Sequence, residues 1–306
     1  MEILEQIREE IDRKGYNVYR VVEMTDAGTR ECEIQPSAVL HQCYSVTKSF
    51  TACGIGLLWD RGLISLDDRI YAEFEPYFPK NFCETWKQVT VRDVLRHRVG
   101  GATEPCMYRH LDHPEIPTDV DTLTDIFDQD LPGTPGKEMI YGEHNYYILS
   151  RLIEKKSGVL PEELLRREIF DPLGFQYPAW ARDPQGHNYG GNGLCLRTVD
   201  MAKLGWLYLN GGVWNGKRIL SQQWIDLSRD TVPVDENGDY GFAVLRTRCM
   251  KNGERYFAGS GDQFVLMCPS RRAVYAFHSF NAGGPFGLLE FIRAAAMGEI
   301  GYTKRP

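Results

Sequence analysis

An α+β fold is what this chain predicts: an antiparallel sheet built from both chain ends and flanked by helices, with a mainly helical lobe inserted. Three observations carry that expectation. Strand-like runs stand near the N-terminus and recur as a series after Tyr240, helical patterns fill the stretch between, and no strand–helix–strand alternation or internal repeat breaks the order. The expected division is an α/β lobe of residues 1–50 plus 235–306 and a mainly helical lobe of residues 51–234.

The elements follow in order. Met1 to Ile11 reads as an acidic amphipathic helix, and Tyr16 to Met24 as a strand that turns at Asp26-Ala27-Gly28 and pairs back as a hairpin. A long helix beginning near Ser45 ends at Arg61-Gly62, the glycine serving as C-cap. Thr90 caps a helix reaching His97. Residues 101–137 are rich in Pro, Gly, Asp and Thr, and so long a loop inside a domain reads as a lid or binding loop. Helices are then expected over 143–156, 161–169, 199–209 and 221–228. The runs Gly241–Leu245, Tyr256–Ala258, Gln263–Met267 and Arg272–Phe277 read as strands of a meander, closed by a helix over 285–298.

Composition bounds the function classes. The chain has 306 residues, 42% hydrophobic and 25% charged, with a net charge of −7. That balance argues against a nucleic-acid partner or an anionic membrane surface. No apolar run approaches the ~18 residues of a membrane span. The N-terminus is unlike a secretory signal, so a cytoplasmic location is expected. The eight cysteines form no CxxC pair and read as buried free thiols. His110 and His113 are the one close histidine pair, in a proline-bearing loop without cysteine partners, so neither a metal nor a cofactor is expected.

Ser45-Val46-Thr47-Lys48 carries the chemistry. Side chains three apart share a helix face, which lets the Lys48 amine reach the Ser45 hydroxyl. A helix start adds free backbone N–H groups and a positive dipole end. Together these suit a serine nucleophile with a lysine beside it as proton acceptor. The tetrapeptide alone is equally an N-cap with a solvated lysine, so its meaning rests on context. Two later segments supply it. Tyr141 stands at the entrance of a helix, in Tyr141-Gly142-Glu143-His144-Asn145, and glycines sit on a late strand in Phe257-Ala258-Gly259-Ser260-Gly261-Asp262.

In this order the three segments resemble the signature elements of the serine β-lactamase and penicillin-binding-protein superfamily, most nearly its class C β-lactamase branch with its esterases, D-amino-acid peptidases and amide hydrolases. Gly62–Asp68, Thr90–His97, Phe170–Gly174 and Leu209–Gly212 add to the resemblance, which covers roughly residues 40 to 280. It implies the β-lactamase/transpeptidase-like fold, with the active site between the lobes. It implies Ser45 as nucleophile of an acyl-enzyme, Lys48 or Tyr141 as base, and backbone N–H groups of Ser45 and Ser260 as the oxyanion hole. Glu143, Asn145, Phe257 and Gly259 fall at positions that bind substrate or support those that do.

Two departures shape the expected substrate. Glu143 stands where the family usually has Asn, so an amide donor becomes a carboxylate that only accepts when ionised. Directed into the site, Glu143 would hold Lys48 protonated and favour Tyr141 as base; directed away, it would leave Asn145 as a partial substitute. Phe257-Ala258-Gly259 offers no cation for a substrate carboxylate, and Asp262 replaces a glycine. Hydrolysis of a small uncharged or cationic ester, amide or peptide-like substrate is therefore expected, rather than efficient β-lactam turnover. The rival class is a catalytically impaired binding or scaffold protein. A cysteine hydrolase using Cys43 or Cys53 lacks a histidine at a recognisable partner position.

Overall fold

A computed structural model of the chain describes residues 2–101, 121–236, 238–281 and 287–300. Helix α1 (Ile3–Lys14) leads into the hairpin β1 (Val18–Thr25) and β2 (Gly28–Glu33). The remaining strands of the main sheet come late: β3 (Val232–Pro233), β4 (Gly238–Tyr240), β5 (Leu245–Thr247), β6 (Arg255–Gly259), β7 (Gln263–Cys268) and β8 (Ala273–Ser279). The sheet runs β2-β1-β8-β7-β6-β5-β4-β3, with every pairing antiparallel. The early and late strands meet one strand in from the β2 edge, where β1 pairs along β8 from Val18 opposite Ser279 to Thr25 opposite Ala273.

Period-two alternation explains why β7 and β8 read as unbroken apolar runs: both faces are covered. Val265, Met267, Val274 and Ala276 join the core beneath the helical body. Phe264, Leu266, Tyr275 and Phe277 face the other way, against α1 and the final helix Gly287–Met297, which buries Leu289 and Ile292. Between the sheet segments lie α2 (Thr47–Asp60), α3 (Glu143–Ser157), α4 (Thr198–Leu209) and α5 (Gln222–Arg229). In α2 every residue from Thr47 to Leu58 is buried, as befits a helix surrounded on all sides. Just beyond its end, Gly62 takes the left-handed φ of 67° expected of a terminating glycine.

Four expectations change. Ser45 is not yet in an α-helix: it lies in a 3₁₀ turn, Tyr44–Val46, that feeds α2. The run Gly241–Leu245 is not a continuous strand. Residues 241–244 turn the chain between β4 and β5, with Gly241 N–H donating to Val244 O at 2.8 Å and Ala243 at φ 55°. The run is apolar because the turn is buried, Ser49 Oγ donating to Ala243 O at 3.2 Å. The Thr90-capped helix stops at Leu95, since His97 takes φ 55°. Within the expected loop 101–137, Asp121 caps a short helix, Thr122–Phe127. Residues 102–120 of that expected lid or binding loop, with His110 and His113, lie outside the described residues.

Seven described cysteines are free thiols, Cys43, Cys53 and Cys268 fully buried. Among the described residues no helix is long and apolar enough to cross a membrane, and no group of three or more His, Cys, Asp or Glu could hold a metal ion.

Candidate active site

Tyr44 enters the 3₁₀ turn in the left-handed region, at φ 47°. The turn leads straight into α2, whose second residue is Lys48, three positions on from Ser45 and so within its reach. Lys48 Nζ lies 2.9 Å from Ser45 Oγ. The same nitrogen donates to Glu143 Oε1 at 2.5 Å and to Gly191 O at 2.9 Å. An ammonium has three N–H donors, and here each meets an acceptor. Lys48 is only 1% exposed, so these contacts stand in for water at a buried cation.

Glu143, the first residue of α3, is directed at Lys48 and not out to solvent, and Asn192 Nδ2 donates to its other oxygen at 3.1 Å. Its carboxylate sits at the favourable, positive end of the α3 dipole. The segment Gly190–Gly193 closes this corner, and the missing side chain at Gly191 is what permits the approach. A Cβ on Gly191 would stand 2.2 Å from Glu143 Oε2. The cluster Gly190-Gly191-Asn192-Gly193 was the sequence signal for this contact, a glycine run marking close approach of backbone.

Tyr141 precedes α3 and is half exposed. Its ring lies under the Lys48 ammonium, 4.8 Å from nitrogen to centroid, and stacks on the His97 imidazole at 4.3 Å. His97 is wholly buried. Its Nδ1 receives Gly142 N–H at 3.3 Å and Asn145 Nδ2 at 2.9 Å, which leaves Nε2 to carry the proton toward Tyr240 Oη at 3.1 Å. Burial, with the Lys48 charge adding to it, holds His97 well below the usual histidine range. It is a neutral platform for the tyrosine ring.

Strand β6 forms the opposite wall. A Cβ on Gly259 would stand 2.4 Å from Cys43 O and 3.1 Å from Ser45 N, so only glycine lets this strand come so near the serine turn. Ser260 follows at the hairpin tip and, with Ser45, Lys48, Tyr141 and Gly259, lines one cavity of about 530 Å³.

Ser45, Lys48, Tyr141, Gly259 and Ser260 thus converge, with Glu143 behind Lys48. Two expected site residues do not face the cavity. Asn145 is fully buried and turned toward His97, because the first turn of α3 presents it to the helix beneath. Phe257 points to the helix side of the sheet, edge-on to Tyr208 at 5.1 Å, since alternation along β6 gives the cavity to Ala258. Sequence reasoning missed His97, Tyr240, Gly191 and Asn192. No local pattern marks the first two, which sit far apart in the chain.

The profile of the beta-lactamase family matches residues 24–293. The chain belongs to the beta-lactamase family. This family member is 28% identical over 138 residues to Penicillin-binding protein 4* of Bacillus subtilis (strain 168), covering 44% of this chain and 29% of that protein. It spans between 29% and 56% of the length of the curated relatives it matches. The D-stereospecific amidohydrolase from Streptomyces sp. superposes with a TM-score of 0.74 at 18% identity, covering 97% of this chain and 99% of the other. EstCE1, a hydrolase with promiscuous acyltransferase activity, superposes with a TM-score of 0.76 at 14% identity, covering 96% and 97%. At these identities the structural likeness shows a shared fold.

Proposed function

We propose that this chain is a serine hydrolase that cleaves an uncharged or cationic ester or amide through an acyl-enzyme, and is not an efficient β-lactamase. The observation that carries it is the Ser45 hydroxyl, held 2.9 Å from the nitrogen of a wholly buried Lys48 in the wall of an open cavity. Similarity to a D-stereospecific amidohydrolase and to a hydrolase with acyltransferase activity supports the reaction class.

In this reading Lys48 acts as a fixed cation, because Ser45, Glu143 and Gly191 already take its three N–H donors. Tyr141, as phenolate, takes the Ser45 proton as Oγ bonds to the substrate carbonyl carbon, and the ammonium 4.8 Å over its ring offsets the phenolate charge. The N–H groups of Ser45 and Ser260 receive the oxyanion. Tyr141 returns the proton to the departing alcohol or amine, leaving the acyl group on Ser45. A water then gives a proton to Tyr141 as its oxygen bonds to the acyl carbon, and Tyr141 passes that proton to Ser45 Oγ as the acid departs, which restores both groups.

The test is labelling with a fluorophosphonate probe, followed by intact-mass detection of acyl-enzymes over a panel of esters, amides and β-lactams. Labelling that vanishes in Ser45→Ala is expected. No labelling of the parent chain, or labelling that survives in Ser45→Ala, overturns the serine mechanism and leaves a binding protein. Rapid turnover of a penicillin or cephalosporin overturns the substrate assignment.

A further inference from the structure

One wall of the cavity carries a charge that the described chain leaves unbalanced. Asp262 stands at the tip of the hairpin joining β6 to β7, at φ 65°, and lines the cavity beside Ser260, Gly261 and Asn281. The tip is fixed from beneath. Gln263 Nε2 donates to the carbonyls of Ser260 and Gly261, each at 3.2 Å, and Ser279 Oγ donates to those of Gly261 at 3.0 Å and Asp262 at 2.5 Å. The backbone is thereby held in a conformation unusual for a side-chain-bearing residue, with the carboxylate at the cavity wall.

Among the described residues Lys48 is the one cation of the lining, and Glu143 already meets it at 2.5 Å. No lysine or arginine among the described residues pairs with Asp262, whose carboxyl is pushed above the usual carboxylate range by burial, the Asn281 amide working the other way. The rings of Tyr141, Tyr240 and Phe264 line the same cavity. Aromatic faces attract cations, alkylated ammonium groups above all. A substrate carboxylate would meet Asp262 with no compensating cation, whereas an ammonium would meet both the carboxylate and the rings.

We propose that Asp262 is the specificity-determining residue of this site and selects substrates that carry an ammonium group, which the aromatic lining helps to enclose. The inference rests on the hydrolytic reading of the cavity for its kinetic test, and its binding test stands without that reading.

The kinetic test compares p-nitrophenyl 4-(trimethylammonio)butanoate with its uncharged isostere, p-nitrophenyl 5,5-dimethylhexanoate. The parent chain is expected to favour the cation about tenfold in kcat/KM, the scale of one partly solvated charge pair. Asp262→Asn should abolish the preference, read as the ratio of the two kcat/KM values and not as either rate alone, since Asn tolerates the left-handed backbone as Asp does and removes only the charge. The binding test measures butyltrimethylammonium by calorimetry on Ser45→Ala and on Ser45→Ala/Asp262→Asn, with binding expected only where Asp262 remains. Equal preference in the parent and Asp262→Asn, or equal binding in the two Ser45→Ala forms, overturns the proposal. Absent hydrolysis and absent probe labelling with Asp262-dependent cation binding would sink the hydrolase reading and uphold the cation site.

Discussion

The Lys48 ammonium and the Glu143 carboxylate meet at 2.5 Å, joining the first turn of α2 to the first residue of α3. Lys48 is the wrong charge for its place, since a helix N-terminus disfavours a cation. Glu143 offsets that cost from the neighbouring helix, where its own charge is the right one. The pair therefore makes a buried cation tolerable beside the serine.

Glu143→Gln tests this relationship. The amide oxygen still accepts a hydrogen bond, but the charge is lost and a buried cation is left under-compensated. Stability should fall by about 1–3 kcal/mol. The kcat/KM–pH profile should also move along one limb, because the negative charge facing the Lys48 ammonium has gone. A profile superimposable on the parent's would place Glu143 outside the charge network.

Tyr141→Phe removes the hydroxyl and keeps the ring that stacks on His97. The rate should drop about 10²- to 10⁴-fold in kcat, the usual worth of a positioned acid–base group. The melting temperature should barely change, because the side chain is half exposed. Acylation of Ser45 by a p-nitrophenyl ester, followed in a stopped-flow burst, reads the effect directly. An undiminished burst rate would move the base to another group.

Gly259→Ala places a methyl group 2.4 Å from Cys43 O. Strand and turn must part to accept it. Displacing the neighbouring Ser260 N–H, the second donor of the proposed oxyanion hole, should cost about 10²- to 10³-fold in kcat. The strain should lower stability by about 1–3 kcal/mol. A variant of unchanged kcat would show that β6 contributes nothing to the oxyanion site.

Three buried histidines set an acid limit. Burial lowers His144 to about 4 and His278 to about 3, and holds His97 well below its usual value. The unfolded chain titrates them near 6.5. Below about pH 6.5 the unfolded state binds protons that the folded state refuses, so stability present above that pH is lost down to pH 4 and below, at about 1.4 kcal/mol per pH unit for each histidine. Urea midpoints between pH 7 and 4.5 check the slope, and His278→Gln should flatten it. A midpoint constant across that range contradicts the assignment of these rings as buried and neutral.

Much of this was legible from residue order. Ser45, Lys48, Tyr141 and Gly259 could be picked out because three short segments, each with its own local geometry, recur in a recognisable sequence. The hairpin of β1 and β2, the Thr90 cap and the meander of β6 to β8 were legible because turns, caps and two-residue alternation are local properties. What escaped was long-range. Whether Glu143 faced Lys48 or solvent depended on the glycine segment around Gly191, nearly fifty residues away, and the role of Asn145 stayed open because its partner, His97, lay on a different element. The turn at 241–244 was mistaken for strand because burial makes a turn as apolar as a strand.

The pairing of β1 with β8 ties assembly of the molecule to its synthesis. Strand β1 emerges early and has to wait for β8, about 250 residues further along the chain, before it finds its neighbour, and pairing so distant in sequence is intrinsically slow. Until then the Ser45 turn faces an incomplete sheet. A nascent chain stalled before β8 would carry Ser45, Lys48 and Tyr141 and yet lack the sheet that frames them.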